Sequence, residues 1–377
     1  MKIAAVVGAR PQLIKAAPIL YELGTKSSEL ELVVLHSGQH HDFEMSRLIL
    51  DDLGLREPTK TFVLHGSTHG TQTAEMLVKL ERSLASERPR LVIVFGDTNT
   101  TLAAALAASK LNLPVAHVEA GARSFDLTMP EEVNRRLVDH CSSLLFAPTK
   151  TTLRNLAKEG ITKPKVFMTG DTMVDALLRA LPRLEGEQKE LTAELGLEPY
   201  RYGILTLHRP RNVDSPEVLR QILQAVANLS RSLRFVFPIH PRTMRSLSQF
   251  RLRRIFKRNP NFMLTKPLGY ASFLGILREA SVVLTDSGGV QKEAFLFRTP
   301  CVTLRDTTEW PETLESGSNV LAGSNPRSIE KHALTVLSEG AVSGPREIRR
   351  RSPFGDGKAS ARIAQLTIDW IYGKGRS

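Results

Sequence analysis

Residues 90–121 read RLVIVFGDTNTTLAAALAASKLNLPVAHVEAG. An apolar run ends in glycine and aspartate, an alanine-rich stretch follows, and a second apolar run ends in glutamate. The two runs lack the alternation of a half-solvated strand, so they predict strands buried on both faces, with a helix between them. The same rhythm appears in KIAAVVGA, LELVVLHS and SLLFAPT, and later in YGILTLH, LRFVFPIH, NFMLTK, SVVLTDS and PCVTL. Between these runs, PQLIKAAPILYELG, TQTAEMLVKLERSLASE and SPEVLRQILQAVANLSRS carry apolar stripes near the helical period. The chain therefore reads as α/β, with parallel sheets covered by helices.

At 377 residues the chain exceeds one ordinary core, and two domains facing a cleft are expected. The rhythm weakens across RALPRLEGEQKELTAELGLEPYR, which is charged and contains two prolines, and resumes at YGILTLH. The first domain is placed at residues 1–172 and the second at 173–356. Residues 357–377 form an amphipathic helix expected to return to the first domain.

Composition narrows the classes. Hydrophobic residues make up 41% and charged residues 24%, and no apolar run approaches the roughly 20 residues needed to span a bilayer. MKIAAVVGAR reads as a strand, too short and too soon interrupted for a signal peptide. Cys141 and Cys301 are far apart and form neither a disulfide framework nor a metal knuckle, which fits a reducing cytoplasm. The net charge of +12 gathers largely in RTMRSLSQFRLRRIFKRNP and PREIRRR. Neither segment interleaves aromatics as a nucleic-acid platform would, so solvated basic surfaces are expected.

In open parallel sheets, ligands lie beyond the carboxyl ends of the strands. The polar residues there are Arg10, Gln39, His40, Asp97, Glu119, His208, His240 and the run Asp286, Ser287, Gly288, Gly289. TDSGGVQKE opens a helix: two glycines allow close backbone approach and the helix start attracts anions, so it reads as a phosphate seat, or else as a structural turn. Glu293, about a turn into that helix, could accept hydrogen bonds from a ribose diol. Asp97, Glu119 and Glu131 can supply an acid and base pair if they converge, and a simple capping role is the alternative. Glu132 reads as a helix-dipole carboxylate. His208 and His240, each followed by arginine, point to anion binding. Arg10 and Lys15 in VVGARPQLIK read either as a solvated helix start or as cations aimed at that anion. No spacing suggests a metal, and dinucleotide, Walker and GxSxG patterns are absent.

These motifs together resemble the UDP-N-acetylglucosamine 2-epimerase family over nearly the whole chain: GARPQLIK, SGQHHDFEMS, GDTNTTLAAALAA, HVEAGARSFDLTMPEEVNRR, TLHRP, PIHPRT, TDSGGVQKEA and LRDTTEWPET. The resemblance implies two Rossmann-like domains of the glycosyltransferase B type, the nucleotide on the second, a homodimer, and no metal or nicotinamide cofactor. It implies catalytic roles for Asp97, Glu119, Glu131 and His208. UDP contacts fall to Arg10, Lys15, Phe273, Ser287, Gly288, Gly289 and Glu293, and a second UDP-sugar site to Gln39, His40 and His240. Activity is expected to be non-hydrolysing inversion at C2 of a UDP-amino sugar. A hydrolysing relative and a UDP-sugar binder or transferase are the competing classes. Gln12, Arg211, Lys292 and Trp310 depart from the residues many members carry. QKE and TEW are similar to relatives that epimerise a diacetamido glucuronate, which leaves the C3 and C6 substituents open.

Overall fold

Every apolar run singled out above forms a strand in the computed structural model, which describes residues 1–26, 29–39, 52–55, 57–66, 68–257, 259–339, 346–349 and 351–373. The first sheet holds β1 (Lys2–Val7), β2 (Glu31–His36), β3 (Lys60–Thr61), β4 (Leu91–Phe95), β5 (Val115–Val118), β6 (Leu144–Ala147) and β7 (Val166–Met168). Its order is β3-β2-β1-β4-β5-β6-β7, all parallel. The second holds β8 (Tyr202–Thr206), β9 (Arg234–Pro238), β10 (Phe262–Thr265), β11 (Val282–Thr285), β12 (Cys301–Thr303) and β13 (Asn319–Leu321), in the order β10-β9-β8-β11-β12-β13 and again parallel. Each sheet belongs to its own compact unit, the first built from Met1–Arg179 with Arg350–Ser377 and the second from Ala180–Arg349. The chain changes unit inside the continuous helix Thr172–Glu194, which carries Pro182 in its interior.

In each sheet the strand order reverses between the first strand and the fourth, where neighbouring loops depart to opposite sides and leave a crevice. In the first unit that crevice opens above β1 and β4, paired at Val6 and Val94; in the second it opens above β8 and β11, paired at Thr206 and Thr285.

Burial explains why the runs are continuous. All five residues of β4 are fully buried, because helices cover both faces of the sheet. Helix Asn99–Lys110 buries Ala103, Ala104, Ala105, Ala107 and Ala108 and packs against helices His69–Glu87 and Pro130–Cys141. Alanine lets those backbones approach closely while losing little side-chain entropy. Helix Ala359–Ile371 packs on helix Arg10–Lys26. Asp175 caps it, accepting from the Ala359 and Ser360 amides at 3.2 and 2.8 Å.

His36, at the end of β2, is buried, and burial lowers its pKa from 6.5 to about 4. Its folded-state pKa lies below the unfolded value, so its contribution to stability is complete above about pH 6.5 and is lost as pH falls towards about 4. That drop corresponds to about 3 kcal/mol. Urea midpoints measured across this range should fall steeply in the parent and less so in His36→Gln; equal slopes would remove His36 as the cause.

Candidate active site

The first unit gathers its charged residues above β1, β4 and β5. Gln12 ties two strand ends together: its side-chain oxygen accepts from the Gly8 and Ala9 amides at 2.9 and 3.1 Å, and its amide donates to the Phe95 carbonyl at 3.0 Å. Its buried amide is thus occupied within the scaffold. One helical turn on, Lys15 is buried with its Nζ 2.6 Å from Glu119 Oε1. Gly96, at φ 62°, leaves room for that pair, since a Cβ there would lie 2.9 Å from Lys15 Nζ and 3.7 Å from Glu119 Oε1. An ammonium this close compensates a desolvated carboxylate far better than in water.

Glu119 itself has φ 74°, a conformation costly for a residue with a side chain. The segment around it is held from behind. His117 Nδ1 lies 2.7 Å from Asp139 Oδ1, and its Nε2 lies 2.8 Å from the Gly96 carbonyl. The other Asp139 oxygen accepts from the Gly121 amide at 3.1 Å and from Arg123 at 2.7 Å, and Arg123 also pairs with Glu159 at 2.7 Å. Burial alone would raise the Asp139 carboxyl, but His117 and Arg123 outweigh it and hold it below the ordinary range.

Asp97 follows β4 and pairs with Arg135 at 2.5 Å, while the Asn134 amide donates to the Asp97 carbonyl at 2.9 Å. Arg135 lies four residues after Glu131 in helix Pro130–Cys141, so the two occupy neighbouring turns of one face. Glu131 is half-buried in the first turn. Glu132 is fully buried and accepts from the Ser124 amide at 2.8 Å and from Arg135 at 3.1 Å, which anchors the preceding loop. Arg135, absent from the sequence-derived candidates, joins Asp97 to the Glu131 helix; its only sequence signal was the i+4 spacing from Glu131. Arg10 begins helix Arg10–Lys26 and is half-buried.

In the second unit, Ser287, Gly288 and Gly289 form the start of helix Gly288–Phe297, and Ser287 Oγ accepts from the Val290 amide. Neither glycine has positive φ, and at Gly288 the constraint is steric. A Cβ on Gly288 would lie 3.2 Å from Trp310 Nε1 and 3.4 Å from Glu309 Oε2. Lys292, buried in the same helix, stands over the Trp310 ring at 4.0 Å. Two of the residues that depart from the common family pattern are thus in contact with each other. Glu293 and Phe273 are both buried within the unit.

His208 follows β8 with Nδ1 3.0 Å from Asp286 Oδ1, and its ring centroid lies 5.7 Å from that of His240. His240 caps helix Pro241–Gln249, accepting from the Arg242 amide at 3.2 Å. Arg211 pairs with Asp306 at 2.6 Å. In the first unit, Gln39 Oε1 accepts from the Thr100 amide at 3.0 Å and so serves the start of helix Asn99–Lys110. His40 lies outside the described residues. Among the described residues, no cluster of three or more His, Cys, Asp or Glu could hold a metal ion, and no helix is long and apolar enough to cross a membrane.

Two doubly wound parallel-sheet units, with charges gathered at each switch point and a glycine-bearing helix start in the second, define an α/β protein of the glycosyltransferase B type. The model of the UDP-N-acetylglucosamine 2-epimerase family matches residues 23–367, and the chain belongs to that family. It is 43% identical over 366 residues to a UDP-N-acetylglucosamine 2-epimerase homolog of Methanococcus maripaludis, covering 97% of this chain and 99% of the relative. It is 40% identical over 369 residues to the UDP-2,3-diacetamido-2,3-dideoxy-D-glucuronate 2-epimerase of Pseudomonas aeruginosa, covering 97% and 99%. The crystal structure of Methanocaldococcus jannaschii UDP-GlcNAc 2-epimerase in complex with UDP-GlcNAc and UDP is similar at a TM-score of 0.90, with 41% identity and 98% and 99% coverage.

Proposed function

We propose that the protein is an isomerase that interconverts UDP-N-acetylglucosamine and UDP-N-acetylmannosamine without net hydrolysis. The observation that carries the reading is the first unit's carboxylate set: Asp97 and Glu119 end adjacent strands beside the start of the Glu131 helix, in a chain similar to 2-epimerases over nearly its full length. The C2 hydrogen of a UDP-amino sugar has no neighbouring carbonyl, so it must be acidified first. Cleavage of the C1–O bond to UDP builds positive charge at C1. A carboxylate then takes the C2 proton, and the electron pair of that C–H bond forms the C1–C2 double bond of a glycal. Return of a proton to the opposite face of C2 and of the UDP oxygen to C1 completes inversion, with no change in oxidation state.

The second unit supports the leaving group. The amides at the start of helix Gly288–Phe297 suit a diphosphate, and Ser287, Gly288, Gly289, His208, Arg10 and Lys15 are assigned to it, with Glu293 for the ribose and Phe273 for the base. The Lys15–Glu119 contact adds a second use for Lys15: it places a cation against one carboxylate beside the reacting carbon. Gln39, His40 and His240 remain assigned to a second UDP-sugar. A homodimer is the proposed assembly.

One specific observation keeps a second substrate in view. The diacetamido-glucuronate epimerase matches at 40% identity, close to the 43% of the N-acetylglucosamine relative. Purified protein incubated in deuterated water with each UDP-sugar, and followed by NMR, decides between them. The expected result is inverted product carrying solvent deuterium at C2. Free UDP with N-acetylmannosamine as the sole product would establish hydrolysis instead, and turnover of the diacetamido substrate alone would replace the N-acetylglucosamine reading.

A further inference from the structure

Asp286 precedes the phosphate seat and is fully buried, yet its carboxylate serves another loop. Both oxygens accept from the His208 amide at 3.1 Å, and Oδ2 accepts from the Arg209 amide at 3.0 Å and the Asn212 side chain at 3.2 Å. Oδ1 also lies 3.0 Å from His208 Nδ1. These donors belong to the segment after β8, its loop and the short helix Pro210–Val213, and Asp286 follows β11, so the carboxylate bridges the crevice where the strand order reverses. Burial would raise the Asp286 carboxyl, but the His208 ring and the surrounding donors hold it below the ordinary range.

A carboxylate that accepts from an imidazole Nδ1–H selects the ring's tautomer and its orientation. The His208 side chain is 36% exposed, so a ring held at Nδ1 by a buried group turns its other edge, Nε2, outward. Asp286 is one residue before the helix cap Ser287, so one rigid contact sets the spacing between that imidazole edge and the helix start.

We propose that Asp286 is a positioning residue for the reaction: it fixes the His208 ring with Nδ1–H turned inward, so that the imidazolium's Nε2–H faces the departing diphosphate, in register with the Ser287–Gly289 amides. This rests on the 2-epimerase reading for its substrate, but the contact itself does not. The leaving diphosphate gains charge as the C1–O bond breaks, and a donor already oriented at that oxygen avoids reorganisation during the step. Asparagine at 286 is nearly isosteric, yet it removes the charge and turns an amide nitrogen towards donors.

The test is a double-mutant cycle of Asp286→Asn and His208→Gln, reading kcat, KM and UDP affinity by calorimetry in the four proteins. Asp286→Asn is expected to lower kcat by about tenfold to a hundredfold in the parent, the range for losing an outer hydrogen-bond partner. In the His208→Gln background it should lower kcat little further, and UDP affinity should show the same coupling. Equal losses in both backgrounds would make Asp286 a loop anchor and overturn the proposal. Coupled UDP affinity in a protein without epimerase turnover would sink the function above and leave the positioning role standing. If Asp286→Asn fails to fold, the ring 15N spectrum of His208 in the parent still decides: a proton on Nδ1 is expected, and a bare Nδ1 overturns the proposal.

Discussion

Glu119→Gln is expected to remain folded and to bind UDP while kcat falls by about a hundredfold to ten-thousandfold, the usual worth of a general acid or base. Glutamine keeps the shape and can still accept from Lys15, but it cannot take a proton from C2. The same loss is expected for Glu131→Gln, which is half-buried in the first turn of its helix. If either carboxylate only supports the fold, activity should follow the folded fraction alone. Solvent deuterium gives an independent check, because a proton handed to a carboxyl group exchanges before another group protonates the opposite face. Product inverted at C2 with its original hydrogen quantitatively retained would contradict the two-face mechanism, even within this family.

Asp139→Ala should produce the largest loss of stability. It removes the common partner of His117, Arg123 and the Gly121 amide, leaving the fully buried His117 without its anion and the buried Arg123 with Glu159 as its remaining carboxylate. Breaking a buried ion pair from one side typically costs about 3–5 kcal/mol. Two units need not unfold together, so local hydrogen exchange is the appropriate measurement. Exchange of the Gly121 amide should accelerate by at least about a hundredfold, and a change under about tenfold would show that the network carries little of the fold. Because Asp139 is held below the ordinary carboxylate range, its contribution is present above about pH 4 and is lost as pH falls further. Relief of strain at Glu119 should accompany the loss, so activity should drop even where the variant stays folded.

The strands most legible in the sequence were the central ones. β4 is five consecutive apolar residues because both its faces are covered. β3, β7 and β13 carry no such signal: each is only two or three residues long and stands at the edge of its sheet. An edge strand has one neighbour to pair with, and its short run carries no distinctive apolar pattern. Helix Thr172–Glu194 was obscured differently, by Pro182 and a charged second half that local pattern reads as a break.

Candidate site residues were legible for a general reason: parallel strands present their carboxyl ends to one crevice, so position after an apolar run was enough to bring forward Arg10, Asp97, Glu119, His208 and Asp286. Their partners were not. Lys15 could be read as a cation awaiting an anion, but its contact with Glu119 spans 104 positions in the chain. Gln12 looked like a departure at a binding motif, and its hydrogen bonds to Gly8, Ala9 and Phe95 give it a place in the scaffold. Asp286 reads along the chain as part of a phosphate loop, whereas its carboxylate faces His208, 78 positions away.

Class, strand positions, strand ends and family could be read along the chain, because apolar runs, helical period and motif spacing are local properties of consecutive residues. Which charge meets which, and therefore which carboxylates serve the scaffold and which can serve chemistry, was decided by the tertiary structure. The energy of a desolvated charge depends on partners a few ångströms away, and the strand order draws those partners from distant segments.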